Sequence, residues 1–145
     1  MLRIDKRIVE NITLHARREL PIESCGYLAG KGGTVTAHYE MTNADASVEH
    51  FSFNVQEQFA VLMDVRSKKM EILAVYHSHP ATPARPSGED IALAHDPDVS
   101  YVIISLAGSR EDIRSFRIVD GIVEHEVLVV MEDEHADNTT VHFAN

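Results

Sequence analysis

The segment His77-Ser78-His79 closes an almost continuous apolar run that begins at Glu71, and after Pro80 to Pro86 it is followed by Ser87-Gly88-Glu89-Asp90. Along an extended strand successive side chains alternate between faces, so two histidines one residue apart turn both imidazoles to the same side and can share one cation. Asp90, eleven positions past His79, falls in the first turn of a helix that Ser87 can cap, and the proline-bearing loop can return it to the end of the strand. Two imidazole nitrogens and one carboxylate oxygen leave a fourth tetrahedral position for water, the arrangement of a catalytic rather than a structural zinc site. The same donors also describe the facial triad of a non-haem iron(II) oxygenase. Each fragment has a plainer role as well. A His-x-His pair can be a solvated strand end, and Ser87 with an acid three residues on is a capping box. The joint pattern is far rarer by chance than its parts.

The remaining chemistry-bearing residues are scattered. Of nine histidines, His15, His38, His50, His95, His125, His135 and His142 show no ligand spacing. The single cysteine, Cys25, can form no internal disulfide and no four-thiolate zinc site; beside Gly26 in a strand-like run it reads as a small buried hydrophobe rather than a nucleophile. One thiol, a charged N-terminus and no run of about 18 to 20 apolar residues predict a cytoplasmic protein that neither crosses a membrane nor is exported. Against 13 Lys and Arg stand 23 Asp and Glu, a formal charge of −10, which disfavours a nucleic-acid partner because a phosphate backbone needs a cationic face.

The elements that must position these residues are legible from periodicity. A length of 145 residues suits one domain. Ile4, Ile8, Ile12 and Ala16 recur at helical spacing and predict a helix over Asp5 to Glu19, ended with the help of Pro21. Ile22 to Gly30 and Thr34 to Tyr39 read as a hairpin around Lys31-Gly32-Gly33, and Phe51-Ser52-Phe53 as a short strand. Asn54 caps a second helix with an apolar stripe of Val55, Phe59, Leu62 and Met63. Glu71 to His77 is a central strand; Tyr101 to Leu106, Ile113 to Val119 and Ile122 to Val130 are three more, the last two joined by Asp120-Gly121. Helices alternating with strands before a final meander imply a mixed sheet with helices on its faces. Residues 1–130 form the domain, and 131–145 read as an acidic, flexible tail. Without the tail's four acids, Glu132, Asp133, Glu134 and Asp137, the formal charge is −6.

In every position of the signature His-x-His, Pro, Ser-x-x-Asp, the segment from His77 to Asp90 resembles the JAMM (MPN-plus) metalloprotease family. Glu23-Ser24-Cys25-Gly26 is similar to the Glu-x-Cys-Gly segment of its compact prokaryotic branch. The resemblance covers roughly residues 2–130, with weaker echoes in Phe51-Ser52-Phe53 and Tyr101-Val102-Ile103-Ile104-Ser105-Leu106. It implies a cytidine-deaminase-like α/β fold, a mixed β-sheet sandwiched by helices. It implies one Zn²⁺ per chain on His77, His79 and Asp90, with Glu23 as general acid and base for an attacking water and Ser87 as donor to the oxyanion. The implied reaction is amide hydrolysis without a covalent intermediate, just after the Gly-Gly tail of a ubiquitin-like or sulfur-carrier protein. Long insertions of the kind that grip two ubiquitins are missing, which argues against a polyubiquitin-chain reader. Arg85, in the loop between the ligands, could pair with a carboxylate on the leaving group. The alternative within the family is a non-catalytic interaction module, against which stands the presence of all five motif positions.

Overall fold

The computed structural model describes residues 1–132 and 139–142. Its elements run β1 (Leu2–Asp5), α1 (Lys6–Glu19), β2 (Cys25–Lys31), β3 (Thr34–Met41), α2 (Val55–Ser67), β4 (Glu71–His79), α3 (Gly88–Ala92), β5 (Ser100–Ser105), β6 (Asp112–Val119), β7 (Ile122–Glu126), β8 (Leu128–Met131) and β9 (Thr139–His142). They build the expected mixed sheet with helices on its faces, in the order β7-β6-β5-β4-β2-β3-β1-β8, with β9 beside β3. Only Val127 separates β7 from β8, the two ends of that order, so the sheet curls until its edges meet; the Leu2 amide bonds the Val127 carbonyl at 2.9 Å across the junction.

Alternation along the central strands divides the interior in two. On one face Ile8, Ile12 and Ala16 of α1 pack on Leu28, Ala74, Tyr76, Val102 and Ile104. On the other, Val61 and Val65 of α2 pack on Cys25, Tyr27, Ala29, Ala37 and Tyr39, while Ala84 and Ile91 near α3 cover Ile103, Phe116 and Ile118. His77 lies opposite Cys25 in the antiparallel register of β2 and β4, and therefore on the α2 and α3 side. Strand β4 runs antiparallel to β2 and parallel to β5, so both its edges are occupied and its end is held from two sides.

Five local expectations change. Ile4 belongs to β1 rather than to the first helix: Leu2 and Ile4 are buried alternately, and Asp5 caps α1 by accepting the Arg7 amide. In α2 the stripe Val55, Phe59, Leu62 and Met63 is exposed, and Glu57, Val61 and Val65 face the sheet. Burial of Glu57 is possible because its carboxylate accepts from the Thr42 amide and hydroxyl, both at 2.9 Å. Phe51-Ser52-Phe53 makes only an isolated bridge, Phe53 to Asn43, and Ile122 to Val130 is broken into β7 and β8 at Val127. Finally, Thr139–His142 of the expected flexible tail is a strand parallel to Ala37–Glu40 of β3. On that edge β1 reaches only Thr34 and Val35, which leaves the backbone ladder beyond them to Thr139–His142. Residues 133–138 and 143–145 lie outside the described residues.

Candidate metal centre

The end of β4 brings His77 and His79 to one face, as period-two alternation requires, and Ser87 starts α3 so that Asp90 turns back toward them. His77 Nε2, His79 Nε2 and Asp90 Oδ2 stand at 3.1 Å from one another in all three pairings. Tetrahedral ligands at zinc's usual bond lengths of about 2.0–2.1 Å are separated by roughly 3.3–3.4 Å, so this triangle needs little opening to hold the ion. The outer contacts support the same reading. Pro83 O accepts from His79 Nδ1 at 2.8 Å, which leaves the lone pair of the neutral ring on Nε2, aimed at the other two donors. Asp90 Oδ2 also accepts the Ser87 amide at 2.9 Å, while Ser87 Oγ accepts the Asp90 amide at 3.0 Å. The capping box is thus present in full, and the same carboxylate serves both the helix and the cluster. Burial alone would raise the Asp90 carboxyl, but its hydrogen bonds to His77 and His79, the charge of the His77 ring and the Ser87 amide hold it far below its ordinary range. For His79 burial opposes the charged form, and Asp90, Pro83 O and Glu23 together outweigh it, so its pKa is raised.

Glu23 precedes β2 and is 3 % exposed, with Oε1 buried and lacking any hydrogen-bond partner. Desolvation pushes its carboxyl up to about 8; His79 counteracts this, and Asp90, Glu89 and Glu49 reinforce it. A buried, unpartnered carboxylate oxygen beside three converging donors is what a dication and its water would satisfy. The segment carrying Glu23 is stitched to the histidine strand through Ser78: its Oγ accepts the Ser24 amide at 2.8 Å, and its own amide bonds Ser24 O at 3.0 Å. Cys25, fully buried, has its thiol pushed far up by burial, with Glu57 and Glu23 adding to the effect, which leaves no thiolate for nucleophilic chemistry. Arg85 is exposed and has no ion-pair partner among the described residues; its amide bonds Pro83 O at 2.8 Å.

A family model for prokaryotic homologues of the JAB domain matches residues 5–119. The chain belongs to the prokaryotic JAMM family. Within that family it is similar to the CysO-cysteine peptidase of Mycobacterium tuberculosis, 40% identical over 128 residues that make up 86% of this chain and 88% of that protein. It is also similar to a desampylase of Haloferax volcanii, 32% identical over 106 residues, 68% of this chain and 76% of the other. Among solved structures, a Desulfitobacterium hafniense protein studied in solution superposes with a TM-score of 0.85 at 42% identity, over 94% of this chain and 98% of that one.

His77 and Asp90 line a cleft of about 710 Å³. Ile72 and Val75 of β4, Leu62 of α2 and Leu93 just past α3 also line it. Several residues that shape this site lie in the weaker echoes Phe51-Ser52-Phe53 and Tyr101 to Leu106, but their spacing alone does not reveal the contacts they make. Phe51 stacks on the His77 ring, centroids 4.8 Å apart and planes at 29°. Ser105 Oγ bonds Thr82 O at 2.6 Å and the Leu106 amide bonds His79 O at 3.1 Å, fastening the loop and the end of β4 to β5. Ser78 had a visible position between the two histidines, but its partner, Ser24, is 54 residues away. Among the described residues no second His, Cys, Asp and Glu group of this kind occurs, and no helix is long and apolar enough to cross a membrane.

Proposed function

We propose that this protein is a zinc-dependent peptidase that hydrolyses the amide bond following the C-terminal Gly-Gly of a ubiquitin-like or sulfur-carrier protein. The carrying observation is the 3.1 Å triangle of His77, His79 and Asp90 beside the buried, unpartnered Oε1 of Glu23. Relatives named for cleaving CysO–cysteine and for removing a protein modifier point to the substrate class. The cleft supports it too, since a thin Gly-Gly tail can bring its backbone close to His77 and Asp90 while neighbouring side chains meet the apolar lining of Ile72, Val75, Leu62 and Leu93. A single buried cysteine, Cys25, with no second cysteine to pair with in the chain suits a cytoplasmic setting.

His77, His79 and Asp90 would hold one Zn²⁺, which when bound acts as a Lewis acid and brings the pKa of a water toward about 7. Everything else is done by the chain. Glu23, once ionised, takes the proton of the attacking water on Oε1 and passes it to the nitrogen of the leaving amine, so one carboxyl serves as base and then as acid. A dication nearby favours that ionised form, offsetting the burial that otherwise keeps the carboxyl protonated. The Ser87 Oγ accepts from the helix, so its own proton remains available to the carbonyl oxygen as negative charge grows there. Arg85, exposed in the loop that orients His79, pairs with a carboxylate on the leaving group.

The test uses a Gly-Gly-ended carrier joined through its C-terminus to cysteine, followed by mass spectrometry. Wild type with zinc should release the carrier, chelation should stop it, and Glu23→Gln should keep stoichiometric zinc while losing about 10² to 10⁴ in turnover. Arg85→Ala should raise KM for this adduct more than for its C-terminally amidated form. Zinc-loaded protein that leaves the adduct intact would refute the substrate, and Glu23→Gln at full rate would refute the acid-base role.

A further inference from the structure

Nothing holds the Glu23 carboxyl by its own Oε1, so its placement depends on how the backbone at Glu23 is fixed. The anchors are few. The Glu23 amide bonds Ser47 O at 2.9 Å, and the Glu23 carbonyl accepts from Asn43 Nδ2 at 3.1 Å. Asn43, 6% exposed and just past the end of β3, gathers much more than that one group. Its Nδ2 also reaches His50 O at 2.9 Å and Ser47 O at 3.4 Å, and its Oδ1 accepts the amides of Asp45 at 3.1 Å and Ser52 at 3.4 Å. One side-chain amide thus closes the segment 43–52 on itself and ties it to Glu23. The same segment presents Phe51 to the His77 ring. An amide is suited to this because it offers donors and an acceptor on one rigid plane; a carboxylate of the same shape would face three carbonyl oxygens with no proton to give.

We propose that Asn43 is a positioning residue that sets Glu23 opposite the His77, His79 and Asp90 cluster. This rests on Glu23 being the acid and base. The experiment compares Asn43→Asp, Glu23→Gln and the double variant on the carrier–cysteine adduct, with zinc affinity measured by chelator competition. Asn43→Asp keeps the acceptor for Asp45 and Ser52 and loses the donor, and should lower kcat by about 10- to 100-fold, the scale of a small misplacement of a catalytic group. KM and zinc affinity should stay within about twofold, and in the Glu23→Gln background the substitution should cost nothing further, because the two changes act on one group. In zinc-free protein, hydrogen exchange should speed up at the Glu23 amide, whose acceptor Ser47 O loses its contact with Asn43 Nδ2, while the amides of β4 stay protected. Should Asn43→Asp fail to fold, Asn43→Ser, which shortens the reach without adding charge, is scored by the same measurements. Unchanged kcat, a parallel loss of zinc affinity, or losses that multiply in the double variant would each overturn the positioning role alone. Full activity in Glu23→Gln would overturn it together with the acid-base reading.

Discussion

At the scale of single residues the site works by setting two carboxyls in opposite states. Asp90 is held ionised by two imidazoles and a backbone amide, whereas Glu23 is pushed toward its neutral form by burial. A carboxyl whose folded pKa lies above its unfolded value stabilises the fold while protonated, and that contribution is lost as pH rises through the folded pKa. For Glu23 the window runs from about 4.5 to about 8. Zinc-free wild type should therefore lose thermal stability across that interval relative to Glu23→Gln, which cannot ionise; melting curves of the two at steps of pH read the difference directly. A constant gap between the curves would mean that Glu23 is not desolvated as described. The roles of His77, His79 and Asp90 as a donor set were legible from spacing, because strand alternation and a helix cap act over short range. The state of Glu23 was not, since desolvation comes from residues far along the chain.

At the scale of elements, the junction of β2 and β4 matters most, because it holds the start of β2, just after Glu23, against the strand that carries both histidines. Gly26 allows that junction: a Cβ there would lie 2.2 Å from Tyr39 O and 2.4 Å from the Tyr76 ring. Gly26→Ala should cost about 1–3 kcal/mol or more through overpacking, a fall of several degrees in Tm, while Gly88→Ala, where a Cβ meets nothing within 4 Å, should leave Tm close to that of wild type. Equal melting points would show that β2 and Tyr76 can separate without strain. The helices show how far patterning reaches. In α1 one apolar row faces one sheet, and period and burial agree. In α2 the larger apolar side chains look outward while Val61 and Val65 approach the sheet, so the bulkiest stripe indicates the wrong face. What reverses it is the pairing of Glu57 with Thr42, a contact between a helix and a strand end that no periodicity records.

At the scale of the whole molecule the ion would act as a cross-link, joining the end of β4 to α3 across a loop of seven residues, Pro80 to Pro86. Because zinc binds the assembled donors and not a disordered chain, it should raise Tm by mass action, about 2.7 kcal/mol at a free concentration 100 times Kd. Thermal shifts with zinc and with chelator, repeated for Asp90→Ala, measure this; an equal zinc-induced shift in the variant would place the ion elsewhere. The mixed sheet with flanking helices followed from the order of apolar periods, and the donor set from motif spacing, since both are encoded within a few residues of one another. Tertiary structure alone decided the rest: the meeting of β7 and β8, the strand at Thr139–His142, the buried state of Glu23, and the loop that Asn43 closes. These depend on groups brought together from distant parts of the chain, where burial removes water and hydrogen bonds must be completed by whatever partner the fold supplies.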